Sequence, residues 1–314
     1  MKTKIKVSRS TLSLWIILIV AFVVTGIVDS YFFTIPSLGI TLQLAAPLGI
    51  LAAAQTVVML TGGIDLSLAM IATGAAYIVS VKSESGLLNS LLLALAFCVI
   101  VGGINAIAIG IFGVNPLIMT LSMSAILIGV FTVGVSTFLR GSSRMPEILI
   151  TMSSGLIIDP ITWPLLVWAI VSILVLFAMH RTGFGRLVYA IGDNAHATRL
   201  AGVKVWKVQL ATYISAAVLA GIAGIMLGGQ SGAVAISLAN SYLLPSVAAV
   251  VIGGTSIMGG IGGYSGTIMG TLILSVLSYL LAVLNSSEAL KQLIYGLIVL
   301  VLAWIYSSIS GQKS

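Results

Sequence analysis

Charge is what this chain has least of. Aspartate, glutamate, lysine and arginine make up 7% of its 314 residues and 59% are hydrophobic, whereas a soluble globular protein carries about 25% charged residues. With a mean hydropathy of +1.22, the chain cannot clothe a water-soluble surface, so it reads as an integral membrane protein that crosses the bilayer many times. A single cysteine, Cys98, excludes an intrachain disulfide, and its apolar surroundings point to buried packing. Histidine is equally scarce: His180 and His196 share one basic stretch with no cysteine or carboxylate cluster beside them. That offers no metal site and no membrane-embedded Ser-His-Asp triad. There is no Gly-Lys dipeptide, hence no phosphate-binding P-loop. If the protein works with ATP, another subunit binds the nucleotide. No catalytic residue, cofactor or metal is expected. The net charge of +7 lies in short clusters between apolar runs, which fits loops held at an anionic membrane face rather than nucleic-acid binding.

What is present is long apolar runs. Crossing about 30 Å of hydrocarbon takes roughly 20 residues as a helix, and backbone groups in lipid must bond within their own segment, so helices are required. That ruler gives spans near 12–28, 38–60, 65–81, 87–112, 116–139, 161–179, 208–228, 243–258, 264–284 and 289–309. The expected fold is therefore an all-α transmembrane bundle of about ten spans in one domain, 1–314. The first span follows a basic start, MKTKIKVSRS, but outruns a secretory signal and lacks a clear small-x-small cleavage site, so it reads as retained. The 1–11 tail holds Lys2, Lys4, Lys6 and Arg9 without an acid, and the 180–207 stretch holds five Lys or Arg against Asp193. The positive-inside rule places both in the cytoplasm. Six spans separate them and four more follow, so both termini are expected in the cytoplasm.

The 34 glycines concentrate at Gly62-Gly63, Gly102-Gly103, Gly221 with Gly224, Gly228-Gly229, and the run GGTSIMGGIGGYSG from Gly253 to Gly266. Gly221 and Gly224 suit close helix packing. The 253–266 run is too dense for that and should break a helix where the chain is buried or lines a cavity. A second break is expected at 61–67, TGGIDLS. Lying in opposite halves, the two are candidates for equivalent positions in an inverted 5+5 repeat.

Asp65 is the only charged residue between Asp29 and Lys82. A lone carboxylate in a span costs a few kcal/mol, so it has a purpose. It can cap the helix restarting at Leu66, the favoured reading, or touch substrate. Gln55, Ser67, Asn105 and Asn115 are the other candidates for a substrate pathway, since amides and hydroxyls bind neutral polyols without a counter-charge. Ser122 and Ser124 read instead as helix–helix hydrogen bonders. In the basic stretch, Thr182-Gly183-Phe184-Gly185-Arg186 reads as a turn. Asp193 or Asn194 then starts a short helix, Ala195–Leu200, closed by Gly202. A helix of about two turns is not stable alone in water, so Asp193, Asn194, Ala195, Ala197, Thr198, Arg199 and Gly202 are expected to dock on a partner. The plainer alternative is a charged loop at the lipid surface.

Three ordered motifs resemble the membrane permeases of bacterial ABC importers for monosaccharides of the ribose, xylose, arabinose and galactose type. They are GGIDLS at 62–67, FGRLVYAIGDNAHATRLAGVKV at 184–205, and VVIGGTSIMGGIGGYSGTIMGT at 250–271. The sequence departs from the usual valine-glycine after the first string, with Leu68-Ala69 in its place. The resemblance implies two permease copies, identical or paralogous, set in membrane lipid. Two cytoplasmic ABC ATPase domains and an extracytoplasmic sugar-binding protein would complete the importer, with the 194–202 helix fitting a cleft on the ATPase. The rival from another class is a stand-alone secondary carrier with Asp65 as its ion-coupling site.

Overall fold

The computed structural model describes residues 9–137, 139, 141–158 and 161–310. Most of the expected cytoplasmic tail, with Arg140, Asp159 and Lys313, lies outside them. The chain is an all-α polytopic bundle, and each of the ten apolar segments carries a helix: α1 (Arg9–Val28), α2 (Ile35–Met59), α3 (Leu68–Val81), α4 (Leu87–Gly110), α5 (Pro116–Ser136), α7 (Trp163–Arg181), α9 (Val205–Ser231), α10 (Leu243–Ile252), α11 (Tyr264–Val283) and α12 (Glu288–Ser310). Six of these, α2, α4, α5, α7, α9 and α11, are individually long and apolar enough to cross a membrane. Between α5 and α7 sit a short helix, α6 (Glu147–Ser154), and a hairpin of β1 (Leu156–Ile158) with β2 (Ile161–Thr162). The hairpin lies between apolar spans, so the requirement for helix does not apply to it.

Burial sorts the helices. From Ala45 to Leu60 every residue of α2 is buried. The other central helix is α9, admitted by small residues: a Cβ on Gly224 would collide with the Ala72 carbonyl of α3, and one on Gly221 would lie 2.6 Å from the Cys98 sulfur of α4. The packing roles expected of those glycines and of buried Cys98 are met. By contrast α1, α4, α5, α7 and α12 present Val23, Leu88, Ile118, Ile173 and Trp304 outward. Such a girdle is tolerable only against lipid or another apolar partner.

Two helices are half-length. At 1.5 Å per residue, the 14 residues of α3 span about 21 Å and the 10 of α10 about 15 Å. Each is shorter than expected, beginning at 68 rather than 65 and ending at 252 rather than 258. Glycine turns replace the missing helix, with φ +81° at Gly62 and +85° at Gly254. The 61–67 and 253–266 breaks meet, with Gly260 N donating to the Leu60 carbonyl at 3.0 Å.

The basic stretch also differs from its reading. Residues 182–186 are no turn: Thr182 accepts from Gly185 N and starts α8 (Gly183–Leu200), which is kinked at Asn194 (φ −157°, ψ 97°). The short helix after the kink is the one expected. Asn194 Oδ1 accepts from Ala197 N at 2.8 Å, so Asn194 and not Asp193 is the cap. Gly202, at φ +85°, ends it and donates to the Arg199 carbonyl at 3.0 Å. Neither Ser122, exposed, nor Ser124, half-buried, makes a hydrogen bond to described residues, so the helix–helix bonds expected of them are not formed.

Candidate functional site

Gly62 turns the chain off the end of α2, and the carbonyl and amide of the next residues need partners that no helix provides. Side chains from three helices supply them. Asp65 Oδ1 accepts from Ser67 N at 2.8 Å and from the Ser67 hydroxyl, an Asx-turn just ahead of the helix. The helix restarts at Leu68 rather than Leu66, and its N-cap is Ser67, without a side-chain capping bond, so Asp65 is not the cap expected of it. With its amide turned to pair both backbone groups of Asp65, Gln55 donates to the carbonyl at 3.1 Å and accepts from the N–H at 3.2 Å. Asn105 of α4 donates to the Ser67 hydroxyl at 3.0 Å. Thr120 of α5 donates to Ile64 O at 3.1 Å and accepts from Leu66 N at 3.0 Å. Gln55, Asp65, Ser67, Asn105 and Thr120 are all buried.

This knot joins four of the five expected pathway residues but forms no open pathway. Asn115 stands apart on the exposed start of α5, where Oδ1 accepts from Leu117 N at 2.9 Å and Ile118 N at 3.4 Å. Thr120 was missed, although its spacing of four from Pro116 marks it as facing the first turn of α5. Tyr213 was missed too; its hydroxyl lies 2.6 Å from where a Gly63 Cβ would stand. Asp65 Oδ2, Asn105 Oδ1 and the Tyr213 hydroxyl are buried with no hydrogen-bond partner among the described residues.

The second break is closed by its own hydroxyls and backbone: Gly263 N donates to Thr255 Oγ1 and Met258 N to Ser256 Oγ, each at 3.1 Å. Ser256 N donates to Ile261 O at 3.0 Å, and Gly259 N to Ser256 O at 3.2 Å. Gly259 and Gly260 have φ of +89° and +72°, a region costly for any other residue. Their positions are also fixed by contact. A Cβ on Gly260 would lie 2.9 Å from Asp193 N, and one on Gly259 would lie 2.7 Å from Gly62 N. A Cβ on Gly192 would collide with both the Leu60 carbonyl and Gly260 N. The three motifs singled out in the sequence thus touch at one junction, backbone on backbone. Tyr189 of α8 adds a bond to the Gly262 carbonyl at 2.9 Å, and burial pushes its phenol up, keeping the proton that makes this bond. Farther up, Thr56 and Thr267 bond at 2.9 Å, and Tyr264 donates to the Gly49 carbonyl at 3.0 Å. These bonds fasten α11 along α2.

The outer side of the junction carries exposed apolar side chains. Leu200 is 77% exposed, Met258 80% and Ile261 69%, beside the exposed Asp193, Asn194, Ala195, Ala197 and Arg199. Thr198 is instead buried, donating to the Ala190 and Asn194 carbonyls at 2.9 and 2.8 Å. Among the described residues no group of three or more histidine, cysteine or acidic side chains could hold a metal.

A half-buried bundle with two broken helices held to a capped surface helix is the architecture of a membrane permease. Residues 37–303 match the family model described as the permease component of the branched-chain amino acid transport system, and the chain belongs to that family. It is 32% identical over 293 residues to the ribose import permease protein RbsC of Escherichia coli, covering 91% of this chain and 90% of the relative. The fructose import permease protein FrcC of Rhizobium meliloti is 30% identical over 295 residues, 91% of this chain and 82% of the relative. The autoinducer 2 import system permease protein LsrC of Yersinia pseudotuberculosis is 29% identical over 290 residues, 89% and 79%. No solved structure matches the chain.

Proposed function

We propose that this chain is the permease subunit of an ATP-driven importer carrying a neutral monosaccharide or similar small polyol across a bacterial inner membrane. It would cross ten times with both termini in the cytoplasm. Two permease copies, cytoplasmic ABC ATPase subunits and an extracytoplasmic sugar-binding protein would complete the machine. The observation that carries this reading is the backbone junction of Gly192, Leu60–Gly62 and Gly259–Gly260. A partner pushing on the 194–202 helix moves the ends of two broken transmembrane helices with no flexible side chain between. The exposed Leu200, Met258 and Ile261 supply an apolar footing for that partner, and Arg199 a charge at its edge. The names of the relatives favour a sugar as cargo. Asp65, Gln55, Ser67 and Asn105 act here as a hinge that opens and recloses, and Asn115 as an ordinary helix cap. The secondary-carrier rival needs Asp65 open to an ion path, whereas it is 1% exposed.

The test is purification of the tagged permease from its own host. An ABC ATPase should copurify, and vesicles holding the complex should take up labelled sugar with ATP and binding protein but without an ion gradient. Arg199→Glu should weaken ATPase association and uptake while insertion stays normal. Cysteine at Ala197 should label only from the cytoplasm and at Ser143 only from outside. Uptake driven by an ion gradient without ATP would install the secondary carrier in its place.

A further inference from the structure

The end of the bundle away from the glycine junction holds a cavity of about 280 Å³ between α2, α10, α11 and α12. Its walls differ from those of its neighbour. A second cavity of about 380 Å³, between α1, α2 and α11, is lined by Leu18, Ile19, Phe22, Phe32 and other apolar groups, suited to a lipid chain. The first is mostly apolar too, with Leu44, Leu48, Pro245 and Ala282 in its wall, but it adds the rings of Tyr242, Tyr279 and Tyr295 and several serine and threonine hydroxyls, with Glu288 and Lys291 at its margin. Those two charges pair at 3.8 Å, so the cavity has no net charge to offer an ionic ligand.

Most of its hydroxyls are occupied. Ser278 shares a bond of 2.7 Å with Tyr295, and Tyr279 donates to Asp29 at 2.8 Å. Ser241 and Tyr242 are different: neither side-chain hydroxyl makes a hydrogen bond to described residues, and both border the cavity. Flat rings for C–H faces, with a few free hydroxyls for O–H groups, are the complement of a neutral polyol. The volume falls just under the roughly 300–1,000 Å³ of sites that enclose drug-sized ligands, a scale that suits one small sugar.

We infer that this tyrosine-walled cavity is a site for a neutral monosaccharide at the outer face of the permease, with Ser241 and Tyr242 contributing its hydrogen bonds. The inference rests on the importer reading for its outward orientation. Its helices α2, α10 and α11 are the ones gathered at the glycine junction, so a sugar held there sits on the elements that the coupling helix would move.

The experiment uses the permease–ATPase complex in nanodiscs and saturation-transfer NMR with D-ribose, D-xylose and D-galactose, with D-gluconate as the charged control. At least one neutral sugar should receive saturation and gluconate none. The pair Ser241→Ala with Tyr242→Phe should raise its half-saturation concentration about tenfold, the worth of roughly one net hydrogen bond, with ATPase copurification unchanged. In uptake at saturating binding protein the same pair should lower kcat while leaving the half-saturating binding-protein concentration alone. If the pair fails to assemble, Tyr242→Phe alone makes the same comparison. No transfer to any neutral sugar, equal transfer to gluconate, or a signal indifferent to these substitutions overturns the site. Failure of an ATPase to copurify with the unaltered permease counts against the importer reading instead, and the sugar signal still decides the cavity.

Discussion

The break after α2 and the break after α10 solve one problem by opposite means. At 60–67 the loosened backbone is held by side chains reaching in from α2, α4 and α5: Gln55, Asn105 and Thr120 around Asp65 and Ser67. At 253–263 the side-chain bonds are fewer, from Thr255, Ser256 and Tyr189, and glycine lets backbone meet the backbone of α8 and of the first break. In the proposed importer the side-chain knot is the part that unties and remakes, while the glycine junction, a link with little side-chain slack, moves as one piece.

The largest effects should follow from putting a side chain into the link. Gly192→Ala drives a methyl into the Leu60 carbonyl and Gly260 N. Overpacking of this kind costs about 1–3 kcal/mol or more, and the contact can relax only by parting. ATP-driven uptake should fall at least tenfold, while a pull-down with the ATPase still recovers complex. The control is Gly103→Ala, on a helical glycine like Gly192 but with nothing within 4 Å of the new Cβ. It should retain most uptake. Equal loss in both would mean that any added methyl suffices and the contact transmits nothing.

A tether examines the same link from the other side. Asp193 and Ile261 flank it and both are exposed. Cysteines at the two positions joined by a short bis-maleimide should leave uptake within about twofold of the untreated protein, since rigid neighbours keep their spacing. Arrest by the tether, with the ATPase still bound, would show sliding at the junction instead.

The hinge should respond to chemistry rather than volume. Asp65→Asn keeps an oxygen for Ser67 N, and Asn makes the same turn as Asp, so folding and uptake should stay near normal. Asp65→Ala leaves that N–H without its acceptor inside the bundle, at a cost of about 1–3 kcal/mol. It should lower the amount of complex recovered after membrane extraction. A variant Asp65→Asn that assembles fully yet does not transport would make the charge itself functional and overturn the purely structural role of the turn.

These contrasts show which parts of the molecule could be read from residue order. The ten apolar segments were legible because lipid imposes one length and one hydrogen-bonding solution on each. Asn194 and Gly202 were legible because caps act within a few residues of the ends they close. The helix before Asn194 was not, since Gly183 and Gly185 suggest a turn; Thr182 caps it, and Gly185 lies against the Met179 carbonyl, where a Cβ would collide. Nor could spacing reveal that Gly192, Gly259 and Leu60 meet. Glycine density signals a need for close approach without naming what approaches. Tyr213 escaped notice for a like reason, since a tyrosine in an apolar helix looks the same whether its hydroxyl faces lipid or a carboxylate.

Asn115 gives the smallest effect and the finest comparison. It makes the same kind of bond as Asp65, a side-chain oxygen accepting from the N–H two residues on, but with water at hand instead of helices. Water can replace a lost exposed cap, so Asn115→Ala should cost only about 1 kcal/mol of stability, seen as a drop of a few degrees in the melting of the detergent-solubilised protein. Asn115→Asp should cost less still, because a carboxylate at a helix start also favours the dipole. Uptake should be unchanged in both. If Asn115 belonged to the sugar's path, both variants would lose uptake while melting as the unaltered protein does, and the grouping of Asn115 with Gln55, Asp65, Ser67 and Asn105 would be restored.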